Sequence, residues 1–200
     1  MKIDFKKLYL ASKISKNSER AGDFALLKSD ALGVRANPEI KAKMTLVKKY
    51  YPAINLEELS QLPLGTFGHE YALHMQKNKL KPLKISSEFS EIADSNVFAL
   101  RYAVTHDIFH VLLGFDTSYA GEIGVLAFAT EQNYSRSLKL GLLFAILLYP
   151  VLAPNQLKVI FANLRKGKQM ARKANFLLNY RFEDYWAKPI TVLRYELNLS

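Results

Sequence analysis

The sequence predicts an all-α fold, a single-domain helical bundle over residues 1–200. Three observations predict it. Apolar residues recur at helical spacing, alternation of the strand kind never persists, and helix-start and helix-stop signals separate the segments. With 200 residues the chain can bury one real core but not two comfortable ones. Half of it is apolar, which argues against disorder.

The elements follow in order. Residues 1–21 read as a helical lead-in, expected to form a peripheral N-terminal helix, with Ile3, Leu8, Leu10 and Ile14 recurring between lysines. Gly22 to Leu32 is a second helical stretch, with Gly33 as its C-cap. In "NPEIKAKMTLVKKYYP", Asn37 is a cap signal, Pro38 suits a first turn and Pro52 is a stop, so a helix is expected between them. A short helix, a turn at Pro63 to Gly65 and a helix from Thr66 come next, then a polar loop after Lys81-Pro82. "IADSNVFALRYAVTHDIFHVLLG" is expected to be one long, largely buried helix ending at Gly114. A short connection leads to a helix from about Tyr119 to Ser135.

Leu138 to Pro154 is strongly apolar, but its uninterrupted run of roughly a dozen residues falls below the roughly 20 that span a bilayer, and Pro150 would kink it. Two readings stand: a buried core helix, or a helix lying on a membrane surface, with Leu142, Leu143, Phe144, Ile146, Leu147 and Tyr149 lining a groove or dipping into lipid. The following segment carries the densest positive cluster, Arg165, Lys166, Lys168, Arg172 and Lys173. Near Pro189 a last helix begins, with Leu193, Tyr195 and Leu197 available to pack. Tyr185 and Trp186 suit either a membrane interface or the core.

Composition limits the chemistry. There are no cysteines, so disulfides and thiolate ligands are excluded, and any metal must use imidazole, carboxylate, amide or water. The formal charge of +10 favours an anionic partner: nucleic acid, a phosphate-bearing ligand or an acidic lipid surface. Nucleic acid is the weakest of these, because aromatic residues are not interleaved with the basic cluster. A solvated helix face accounts for that cluster equally well. The N-terminus has no apolar stretch of signal-peptide length and carries Asp4 and Glu19, so a cytoplasmic or equivalent interior setting is expected.

The chemistry concentrates in "THDIFHVLLGFDTSYAGEI" (Thr105 to Ile123). On a helix, His106 and His110 stand one turn apart on the same face, and Asp107 can lean toward it. A loop and an antiparallel second helix would return Glu122 to the same place. Two imidazoles and one or two carboxylates suit zinc first, with iron or manganese as alternatives, and leave open coordination positions. The competing reading is a helix with satisfied core histidines, or a surface helix. The apolar neighbours Ile108, Phe109, Val111 and Leu112 weigh against full exposure. Other signatures fit less well. A zincin needs His-Glu-x-x-His, whereas Asp107 follows the first histidine here. There is no P-loop, dinucleotide fingerprint or Gly-x-Ser-x-Gly elbow. His69 and His74, five residues apart, point to different helix faces and are read as non-ligands.

His106-Asp107-x-x-His110, eleven residues and then Glu122 resembles the signature of the coenzyme Q biosynthesis protein four family. "LPLGTFGHEYALHM" resembles the family's Leu-Pro-x-Gly-Thr-x-Gly segment, "AGEIGVLAFA" the surroundings of its glutamate, and "NFLLNYRFEDYWAKPITVLRYELNL" its C-terminal tail. The resemblance covers most of the chain from about Gly22. It implies an all-helical, membrane-associated protein of quinone biosynthesis, of bacterial type. The implied metal ligands and catalytic residues are His106, Asp107, His110 and Glu122. The implied substrate is a polyprenylated aromatic intermediate that loses its ring carboxyl group with hydroxylation at that carbon. The second function class is a non-catalytic polyprenyl-lipid scaffold organising other quinone-biosynthesis proteins. An anionic membrane surface is the expected support, and a homodimer is compatible with the sequence.

Overall fold

The computed structural model describes residues 3–199. The chain begins with α1 (Phe5–Ile14), started by the Asp4 carboxylate, which accepts from the backbone N–H groups of Lys6 and Lys7. Its buried face, Ala11 and Ile14, packs on α2 (Ala21–Ala31). The segment after Asn37 departs from expectation: α3 covers only Pro38–Lys43. The Asn37 side chain makes no cap, because its amide donates to the carbonyl and side chain of Asn133 at 2.7 and 3.0 Å. Beyond Lys43 the chain turns, with Lys49 in the left-handed region at φ +56°, and no helix reaches Pro52.

Next come α4 (Leu56–Ser60) and α5 (Phe67–Lys77), the short helix and the helix near Thr66 that the sequence predicts, capped by the side chains of Asn55 and Thr66. Gly65 supplies the positive φ of the turn between them. The first N–H groups of α5 are satisfied from the far end of the chain: Phe67 donates to Lys188 O and Gly68 to Trp186 O, both at 2.8 Å.

The long helix expected from Ile92 to Gly114 is instead three: α6 (Ser90–Ser95), α7 (Val97–Val104) and α8 (His106–Leu113). Asn96 makes the first break. Its side-chain Oδ1 accepts from Ala99 N and caps α7, and its side-chain amide donates to buried Asp30 at 2.9 Å. Thr105 makes the second, its hydroxyl bonding back to Arg101 O at 2.7 Å. Gly114, at φ +70°, closes α8 as expected.

Then follow α9 (Tyr119–Glu131), α10 (Arg136–Leu152), α11 (Leu157–Lys173) and α12 (Ile190–Glu196). Helix α9 is apolar all round and central, with α10 and α11 packed against it. Glycines let α9 and α11 approach closely: a Cβ on Gly167 would stand 2.2 Å from Gly124 O. The main core joins Phe67, Tyr71, Phe109, Phe128, Tyr134 and Phe182. Trp186 belongs beside it, stacked 4.7 Å from Phe67, whereas Tyr195 is exposed rather than packed. Arg101 is fully buried and paired with Glu183 at 2.7 Å, fixing α7 to the C-terminal segment.

The apolar α10 is not a core helix. It buries only Leu142 and Ala145, while Phe144, Leu147 and Val151 are 68%, 65% and 74% exposed. Among the described residues no single helix is long and apolar enough to cross a membrane. The pair α10 and 154–173 is bent by 109°. There is no strand among those residues, only one isolated bridge between Thr66 and Pro189.

Candidate metal centre

Local rules place the candidate ligands. Thr105 resets the chain so that His106 opens α8, and His110 follows one turn later on the same face. Gly114 and Phe115 fold back, both N–H groups donating to His110 O at 3.0 and 3.1 Å. Ser118 caps α9 by accepting from Gly121 N, which sets Glu122 in the first turn, where the helix dipole favours a carboxylate.

One ligand atom each from His106, His110 and Glu122 lie within 4.8 Å of one another. His106 Nε2 stands 3.4 Å from one carboxylate oxygen of Glu122 and His110 Nε2 stands 3.3 Å from the other. The two rings meet edge to face, 4.8 Å apart. Asp107 is outside this group: its carboxylate approaches the opposite nitrogen of His106, Nδ1, at 3.9 Å.

The residues fit a cation. His110 is fully buried, and its Nδ1 lies 3.2 Å from the carbonyl of Phe115. A carbonyl only accepts, so Nδ1 carries a hydrogen and Nε2 is the ring atom that faces Glu122. That atom has no hydrogen-bond partner despite its nearness to Glu122, since the geometry is wrong for a bond. A buried, unpartnered ring nitrogen facing a carboxylate calls for positive charge between them, whether a proton or a metal ion. The titration of the neighbours shows the same demand. Burial disfavours the charged form of His106, but Asp107 and Glu122 outweigh it and push its pKa up to about 9. Burial likewise raises the Glu122 carboxyl, yet His106 and His110 hold it at about 2.

Two residues near this centre were not legible as such. His74 of α5 stacks beside His110, rings 5.8 Å apart, with its Nε2 buried and unpartnered and its pKa pushed down by burial. Tyr102 sits 6.1 Å from the His106 ring, and burial with the nearby Glu122 charge pushes its hydroxyl up in pKa. The signal for Tyr102 was its position four residues before His106, on the same face. For His74 there was none, because its approach is tertiary. His69 lies outside the ligand group. A slot of about 350 Å³ between α2 and α7, walled by Phe24, Leu32, Phe98 and Tyr102, ends on His106 and Asp107.

Fold and site together define a class: an all-α protein with a candidate His/His/Glu metal centre between consecutive helices and an apolar slot beside it. Residues 37–200 match the family described as coenzyme Q (ubiquinone) biosynthesis protein Coq4, and the chain belongs to that family. It is 34% identical over 150 residues to the mitochondrial ubiquinone biosynthesis protein COQ4 homolog of Rattus norvegicus, covering 74% of this chain and 55% of that protein. The Nematostella vectensis homolog is 31% identical over 182 residues, covering 87% and 82%. The chain thus spans about half the length of the first of these relatives and most of the second. A crystal structure from Nostoc punctiforme PCC 73102, provisionally assigned to ubiquinone biosynthesis, superposes with a TM-score of 0.66 at 25% identity, covering 97% of this chain and 95% of that one.

Proposed function

We propose that the chain is a membrane-associated, metal-dependent protein of quinone and prenyl-lipid biosynthesis that acts on a polyprenylated aromatic carboxylate. His106, His110 and Glu122 would hold a divalent cation, zinc first and iron or manganese as alternatives, with Asp107 as a fourth ligand or as the group that orients His106. When bound, such an ion supplies Lewis acidity toward a ring carboxylate or hydroxyl oxygen, and iron or manganese also gives access to dioxygen. The observation that carries this reading is the unpartnered Nε2 of buried His110 facing Glu122.

The chain's own residues supply the rest. The slot walled by Phe24, Leu32 and Phe98 would grip the prenyl portion nearest the head group, each buried methylene contributing about 0.8 kcal/mol. Tyr102, at the end of that slot, would orient the head group toward the metal ligands. The reaction would release the ring carboxyl as carbon dioxide and place one oxygen atom of dioxygen on the same carbon as a hydroxyl, the other leaving as water with two electrons and two protons from a two-electron donor such as a reduced nicotinamide or flavin. The exposed apolar face of α10, with Arg136 and Lys139 at its N-terminal end, would rest on an anionic leaflet from the cytoplasmic side.

A second reading has its own support. The same exposed face of α10 could dock partner proteins of the pathway, making the chain a lipid-presenting scaffold. One comparison separates the two. Metal and co-purified lipid are quantified for the wild type and for His110→Ala, alongside complementation of quinone synthesis. Loss of metal and complementation with folding and lipid retained supports catalysis. Loss of metal with complementation retained supports the scaffold. Full metal retention by the variant places the metal elsewhere.

A further inference from the structure

We infer that the cleft between the C-terminal end of α8, α11 and the tail binds a phosphate-type anion, a phosphate or diphosphate group. The cleft has a volume of about 530 Å³. Lys166 and Lys173 reach it from α11, seven residues apart and therefore on one face, and Arg194 reaches it from α12. Gln169, Thr191 and Asn198 add uncharged polar groups, and no aspartate or glutamate lines the cleft. Among the described residues neither lysine forms an ion pair.

Arg194 is the built part of the site. Its Nε donates to Leu112 O at 2.9 Å and one Nη2 hydrogen donates to Val111 O at 2.7 Å. These bonds cap the carbonyl end of α8, where the helix dipole favours a cation. A guanidinium has five N–H donors, so three remain. Among the described residues no carboxylate takes them: Glu70 attracts Arg194 electrostatically without forming an ion pair. The side chain is half-buried, so burial pulls its pKa down with no opposing charge in contact. Three cations converging on a recess that no aspartate or glutamate lines focus positive potential there. The guanidinium fork matches a phosphate, and flanking ammonium groups complete a charge-assisted set. The room available exceeds that needed by one small ion, which is why a phosphate ester or diphosphate is the class named.

This cleft shares α8 with the metal centre yet stands independently of it. Lys166 lies over the Phe115 ring at 5.2 Å, and the Phe115 carbonyl orients His110.

The test is calorimetric titration of the full chain with inorganic diphosphate. Arg194 is left intact because α8 depends on it. The Lys166→Gln/Lys173→Gln double variant is compared with Lys139→Gln/Lys158→Gln, which removes the same charge elsewhere. Binding of one diphosphate per chain is expected, weakened at least about tenfold in the cleft variant and unchanged in the control. Equal weakening in both variants, or no binding to the wild type, overturns the inference. His110→Ala is expected to bind diphosphate as the wild type does. If it folds but loses diphosphate, the anion sits at the metal centre and the cleft assignment fails. Dodecyl phosphate separates the sources: competition with diphosphate at the same two lysines marks a lipid-borne phosphate, and absence of competition marks a soluble one. Phosphatidylglycerol vesicles that bind through these lysines while diphosphate does not bind would make them a mere surface contact, against the inference.

Discussion

The imidazole Nε2 of His110 and the carboxylate of Glu122 stand 3.3 Å apart without a hydrogen bond, in a place where the histidine is fully buried. Glu122→Gln keeps the shape and removes the charge, so it should strip the cation from the site while the helices stay intact. The loss of metal affinity should exceed the roughly 10–100-fold typical of outer-shell changes. Elemental analysis and chelator competition measure it, with circular dichroism as the folding control. A glutamine variant that keeps its full metal content would show that Glu122 is not a ligand.

Asp107 approaches His106 from the side away from Glu122, at 3.9 Å. Asp107→Asn should therefore weaken metal binding by about 10–100-fold, less than Glu122→Gln, because the three-residue group survives and only the orientation of His106 suffers. An effect as large as that of Glu122→Gln would mean that Asp107 turns inward and binds the ion directly.

The site was legible because its parts are local. His106 and His110 are one turn apart, and Glu122 lies on the very next helix, so helical periodicity and one glycine cap bring them together. The breaks at Asn96 and Thr105 were harder to read, since the apolar pattern runs across both. What interrupts it is polar and partly tertiary: the Asn96 amide is claimed by Asp30, far away in sequence, while the Thr105 hydroxyl turns back on Arg101. Asn37 failed as a cap for the same kind of reason, its side chain being claimed by Asn133. Helix α10 read ambiguously because hydropathy records how apolar a face is, not whether another element covers it. Its outer face is left uncovered among the described residues.

The approach of α11 to α9 depends on Gly167, whose added Cβ would meet Gly124 O at 2.2 Å. Backbone cannot yield as a flexible side chain can, so Gly167→Ala must push the two helices apart. A destabilisation of about 1–3 kcal/mol or more is expected from such overpacking. Because α9 carries Glu122 two residues before Gly124, metal affinity should fall with it. Thermal unfolding and the metal content of the folded fraction report the two effects. An unchanged melting temperature would show that the helices are not held this closely.

Asp30 anchors the N-terminal helices through Lys7 at 2.5 Å, Arg35 at 2.8 Å and the Asn96 amide at 2.9 Å. Burial raises its pKa, but Lys7, Asn96 and Arg35 outweigh burial and hold it below the ordinary value of 3.8. The unfolded chain therefore binds a proton at Asp30 before the folded chain does. Its contribution to stability is fully present above the unfolded pKa and is lost as pH falls through the depressed folded value. Asp30→Asn should be less stable than the wild type at pH 7 and pH 5. The gap should close progressively below about pH 4, where the wild-type carboxylate gains its own proton. Urea midpoints across that range measure the difference. A gap that stays constant down to strong acid would show that the anchor works by shape and hydrogen bonding, not by the charge of Asp30.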